Sequence, residues 1–224
     1  YHGVVACALG WACWKTYLGR PETDEVRRLA MNQLGNGLCD GDHDEDALSV
    51  READLSMRLR LGDSEDSILI AQSNLATSYH QLGRLEQALR MRQDVYSGRL
   101  KLSGEESDRT LSAANNYAHC LLALRRHQEA KSLLGKKTPV ARRVLGESHE
   151  LTLRMRWVYA RALYYDSDAT LDDLREAVTT LEDSERTTRR VFGSAHPVAG
   201  AIGNFLRDAR AALRHREGYA KAPP

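Results

Sequence analysis

The sequence predicts an all-α fold, a right-handed superhelical solenoid of antiparallel helix pairs, on three observations. A glycine-marked segment recurs along the chain, with Gly62, Gly104, Gly146 and Gly193 separated by 42, 42 and 47 residues. Each copy carries the same large, small, large constellation: Leu34-Gly35 with Leu38, Leu75-Ala76 with Tyr79, Tyr117-Ala118 with Leu121, and Tyr159-Ala160 with Leu163. A second small residue follows in the next stretch, at Ala47, Ala88, Ala130 and Ala177. Small residues let two helix backbones approach while their large neighbours fill the gap, so each copy reads as a hairpin of two helices. No alternating strand pattern competes with that spacing.

The elements follow in order. Residues 1–22 read as a partial helix, the remnant of a preceding repeat. Their apolar run Val4 to Trp14 is shorter than the roughly 20 residues a bilayer span needs, and its other reading is a truncated signal-peptide core. The array itself covers residues 23–214, about four and a half repeats, the copy from Met31 being the most degenerate. Gly41 and Gly83 fall between the first and second helices of their repeats, where a cap residue of positive φ is expected. Arg125 stands at that place in the third copy, which predicts a different turn.

The five residues that lengthen the last spacing are expected in the turn at 164–170, since insertions belong in loops. Gly135 and Thr138-Pro139 predict a kink or break in the second helix of the third repeat. Leu206-Arg207 puts a charge where earlier copies have a small residue, as suits the end of an array. Residues 215–224 read as a polar flexible tail.

Composition narrows the function. Of 224 residues, 32 are Lys or Arg and 31 are Asp or Glu, a net charge of +1, which argues against a nucleic-acid partner. At 42% hydrophobic and 28% charged the chain is expected to fold. Cys7, Cys13, Cys39 and Cys120 form no CxxC pair, so free thiols are expected and no metal or other cofactor. With no N-glycosylation motif, the expected location is cytoplasmic, with no membrane partner. The sequence begins at Tyr1, not Met, and is compatible with further domains upstream.

No phosphate-binding glycine loop and no nucleophile or acid–base constellation is present, and His80, His119 and His127 have no carboxylate or Cys at a catalytic or ligating spacing. An enzyme is therefore not expected. The stretch Lys136 to Arg143 is locally basic, which fits either a solvated face or a site for an anionic partner.

These repeats resemble the tetratricopeptide pattern, in the longer variety of about 42 residues found in kinesin light chains and in repeat arrays attached to some signalling NTPases. The usual unit is about 34 residues, and eight more add roughly one turn to each helix. The resemblance covers residues 23–214 and implies a concave groove lined by the first helix of each pair. Register then places Ser73, Asn74, Thr77 and His80 of the second repeat there, with Asn115, Asn116 and His119 of the third. The groove asparagines of kinesin light chains match Asn74 and Asn116, while Gln33 and Val158 depart from the pattern. Such asparagines serve either to hydrogen-bond an extended peptide or to join helices within the array.

In the fourth repeat Arg154, Trp157, Arg161 and Tyr164 lie 3, 4 and 3 residues apart, on one helical face. This stripe reads either as a binding anchor or, for Trp157, as packing against the next repeat. The function expected is that of a protein–protein interaction scaffold holding a peptide segment of a partner. The resemblance implies a peptide that is acidic with a bulky hydrophobic anchor. The alternatives are the repeat region of a larger signalling NTPase, a motor–cargo adaptor, or an RNA-binding repeat module, the last disfavoured by the near-neutral charge.

Overall fold

A computed structural model describes residues 2–221. The described chain is helical throughout and carries no strand: α1 His2–Tyr17, α2 Glu25–Asp40, α3 Asp44–Leu61, α4 Glu65–Gln81, α5 Leu85–Ser103, α6 Asp108–Ala123, α7 His127–Leu145, α8 Glu150–Tyr164, α9 Leu171–Phe192 and α10 Pro197–Lys221. The helix starts are written in the sequence. Asp24 accepts from the amides of Val26 and Arg27, Ser64 accepts from that of Ser67, and Thr170 exchanges two hydrogen bonds with Asp173 in a capping box.

The three-residue turns after α2, α4 and α6 share one geometry. Their middle residues Asp42, Gly83 and Arg125 have φ of 61°, 71° and 58°. The expectation holds at Gly83 and is corrected at Gly41, whose φ is −91° because the left-handed position falls one residue later. Arg125 adopts the same backbone as Gly83 instead of changing the turn, at a cost of about 1–2 kcal/mol for an L side chain there. The late insertion is shared between two places. The turn 165–170 is twice as long as its counterparts, and α9 has 22 residues where α5 and α7 have 19.

Of the kink or break expected in α7, the break is corrected, because the helix runs unbroken through Pro139. An internal proline costs about 3 kcal/mol, and here the turns on both sides of it are anchored by fully buried Leu134 and Ala141. The expected tail is helical through Lys221; residues 222–224 lie outside those described.

The chain divides into two compact units, one ending at Leu102 and one beginning at Ser103. In the first, α1 packs on α2 through glycines so closely that a Cβ on Gly37 would stand 2.4 Å from the Ala6 carbonyl oxygen, and one on Gly10 3.1 Å from the Leu34 Cα. Leu34, Leu38, Cys39 and Ala47 form its core, with Cys7, Trp14 and Val50 against them. Buried Arg51 of α3 donates to the Asn74 carbonyl at 3.0 Å, the Ser78 hydroxyl at 2.8 Å and Asn36 Oδ1 at 3.1 Å, tying α2, α3 and α4 together.

In the second unit the places that hold Arg51 and Arg92 in the first are taken by buried Leu134 and Leu181. Its core gathers Ala160, Leu163, Tyr164, Leu174, Ala177, Leu181, Ile202 and Leu206. The small residues named by the repeat, Ala47, Ala76, Ala88, Ala118, Ala130, Ala160 and Ala177, are each 0% exposed. All four cysteines are free, Cys39 and Cys120 buried and Cys7 and Cys13 half-buried. Among the described residues no helix is long and apolar enough to cross a membrane.

Candidate peptide-binding faces of the first helices

In the first unit, α4 sets Ser73, Asn74, Thr77 and His80 half-buried along one side. Two of these side chains are engaged within the fold. Asn74 Nδ2 donates to Asn32 Oδ1 of α2 at 2.9 Å, so this amide joins the first helices of two repeats. The Thr77 hydroxyl donates to the Ser73 carbonyl at 3.1 Å and accepts from Arg92 at 3.4 Å. Burial, with the Arg92 charge nearby, holds His80 below the ordinary imidazole value. On α2 the Cys39 thiol, pushed up by burial, donates to Gln81 Oε1 at 3.0 Å. On this face the Asn74 amide and the Thr77 hydroxyl are thus already tied to neighbouring helices.

The second unit differs. There α6, α8 and α10 stand side by side, and their exposed sides meet at the Trp157 indole. Phe205 of α10 lies edge-on to it with centroids 5.0 Å apart, and the His119 ring of α6 approaches from the other side at 6.3 Å. The Arg161 guanidinium lies over Phe205 at 4.8 Å and over Tyr165 at 5.6 Å, both within cation–π range. Arg154 extends the stripe toward solvent, paired with Glu150 at 2.7 Å. Tyr164 does not continue it: its ring is buried in the core, burial pushes its phenol up, and the exposed ring at that end is its neighbour Tyr165.

Three polar atoms beside these rings are buried without a hydrogen-bond partner among the described residues: Trp157 Nε1, Arg161 Nε and Asn115 Oδ1. Two are donors and one an acceptor. Asn116 is half-buried on α6 next to Asn115. Leaving such groups unpaired costs about 1–3 kcal/mol each. What the face offers a partner is ring surface and a guanidinium, the residue types that dominate interfaces.

Arg154, Trp157 and Arg161 were expected from spacing, whereas Phe205 and Tyr165, which the fold brings against Trp157 and Arg161, were not. The signal for Phe205 was present, since it stands 47 residues after Val158, the same offset that separates Gly146 from Gly193. Among the described residues no three His, Cys, Asp or Glu side chains are grouped to hold a metal ion.

Residues 67–136, from the start of α4 into α7, match the family model of the tetratricopeptide repeat. No curated protein sequence gives a significant match. Among solved structures the chain is similar to BtubC (BKLC) from P. vanneervenii, at a TM-score of 0.71 and 18% identity over 100% of this chain and 94% of that one. It is similar also to a kinesin light chain candidate from Podosopora anserina with nearly identical TPR-like repeats, at 0.70 and 22% over 89% and 91%. A third likeness, at 0.62 and 15% over 96% and 61%, is to Rap protein complexed with competence and sporulation factor. At these identities the likeness establishes the fold.

Proposed function

With the chain established as a tetratricopeptide repeat fold similar to kinesin light chain-like repeats, we propose that it is a protein-interaction scaffold that holds a peptide segment of a partner on the faces of its first helices. The observation that carries this reading is the Trp157 cluster: an indole framed by Phe205 and His119, with the Arg161 guanidinium laid over the same aromatic surface. Rap protein, of the same fold, is known as a complex with competence and sporulation factor, which supports capture of a partner by such an array.

The preferred segment is extended, with acidic residues beside a bulky apolar one. Arg154 and Arg161 bracket Trp157 and supply planar forks suited to carboxylates, while the aromatic group supplies apolar surface. Selection from a random peptide library against the intact chain tests this. Enrichment of acidic peptides with an aromatic or large aliphatic residue, abolished on Trp157→Ala, supports the reading. Enrichment indifferent to Trp157→Ala and Arg161→Ala refutes it.

A further inference from the structure

The opposite side of the second unit holds a cleft of about 300 Å³ between α7 and α9, floored by α8. Its walls are two matching helix stripes, Gly135, Thr138, Pro139 and Arg142 from α7 and Glu176, Thr179, Thr180 and Asp183 from α9, with Arg156 and Tyr159 beneath. The preceding repeat shows what opened it. Forty-two residues earlier the α7 stripe reads Gln93, Tyr96, Ser97 and Leu100, so the bulk of Gln93 and Tyr96 has been exchanged for Gly135 and Thr138. The floor has changed in the opposite sense, because Arg156 replaces Ala114, a residue with no exposed surface in the earlier copy.

A guanidinium has thus been set where the fold itself requires only a methyl group. It is poorly served there. Arg156 has only 13% of its side chain exposed and makes no hydrogen bond among the described residues; its nearest carboxylates, Glu147 and Asp183, stand at 3.5 and 3.8 Å. Burial lowers its pKa. Asp183 is no better held, its other cation Arg186 lying at 3.7 Å. The Thr138 hydroxyl is buried without a partner, and Pro139 has no N–H to return to the Gly135 carbonyl. Tyr159 and Glu176, in contrast, bond each other at 3.0 Å.

We propose that this cleft is a second binding site, separate from the first-helix faces, for a small zwitterion of the α-amino acid type. Arg142 is bonded to Glu147 and Glu176 to Tyr159, which leaves Arg156 and Asp183 as the loosely held cation and anion of the cleft, and a ligand with one charge of each sign matches that pair better than a simple anion or cation. The carboxylate takes the Arg156 fork in place of its loose contacts with Glu147 and Asp183, and the ammonium faces Asp183 and the Gly135 carbonyl. The volume suits a ligand of amino-acid size and leaves no room for a folded partner.

The test is titration of the intact chain with each common α-amino acid, followed by backbone amide chemical shifts, up to about 10 mM, where even a millimolar site is filled. At least one amino acid should give saturable shifts around the cleft, and its deaminated acid and its decarboxylated amine should each bind at least tenfold more weakly. Arg156→Ala, which restores the residue of the preceding repeat, should keep the fold and weaken binding at least tenfold; Asp183→Asn should weaken it severalfold. No saturable shift with any amino acid, equal binding of the deaminated acid, or unchanged affinity in folded Arg156→Ala would each overturn the proposal.

Discussion

The Phe205 ring stands edge-on to the Trp157 indole, their planes 67° apart, although the two residues lie on different helices separated by the whole of α9. This contact joins α8 to α10 and frames the indole of the proposed site. Aromatic pairs of this geometry contribute about 0.5–1.5 kcal/mol beyond their area. In a double-mutant cycle on urea unfolding, Trp157→Ala and Phe205→Ala should therefore be coupled by about that amount. A coupling within about 0.3 kcal/mol of zero would mean the rings do not pack on each other.

Ala118 and Ala160 have no exposed surface, and each sits where a first helix meets its second. Replacing either by Leu should destabilise by about 1–3 kcal/mol, since an overfilled crossing forces the backbones apart. Equilibrium denaturation measures it, and an unchanged midpoint would show that the repeat register is misplaced.

Gly37 is a sharper case, because the clash its Cβ would make is with backbone and not with a movable side chain. Gly37→Ala should loosen α1 from α2 while leaving the second unit intact. Hydrogen exchange should show lost protection in residues 2–17 and unchanged protection in α8. Full protection of α1 in the variant would contradict the close approach of the two helices.

These cases separate what was legible in the sequence from what was not. The alanines were legible because a close helix crossing imposes a small residue at a fixed place in every copy. The α1–α2 contact was not, since Gly3, Gly10 and Gly37 stand at no glycine position of the repeat and Gly41 read as a cap. Pro139 misled because local propensity argues for a break, whereas tertiary burial of Leu134 and Ala141 holds the helix together. At the site, Trp157 was found from spacing along one helix, while its partner Phe205 depends on how α10 lies against α8, which no local pattern encodes. Asn74 was assigned to the first-helix face from register, but only the fold reveals that its amide is engaged by Asn32.

His80 provides a pH test in the first unit. Its folded-state pKa lies below the ordinary 6.5, through burial first and the Arg92 charge second, so protonation favours the unfolded chain. The sign follows: its contribution to stability is fully present above about 6.5 and is lost as pH falls from there through the lowered folded value. Urea midpoints of the first unit should drop on acidification across that window, and the drop should be smaller in His80→Gln. Equal acid sensitivity in the two proteins would remove His80 as the cause.

The account rests most on the claim that the Trp157 cluster anchors a partner segment. Calorimetric titration of a library-selected acidic, aromatic-anchored peptide into the wild-type chain and into Trp157→Ala measures that directly. An anchor of this kind is worth about 2 kcal/mol or more on truncation, so the variant should bind roughly thirtyfold more weakly or worse, with Arg154→Ala showing a smaller, salt-dependent loss. Unchanged affinity in a Trp157→Ala protein that retains its helical content would contradict the assignment and place the partner elsewhere on the array.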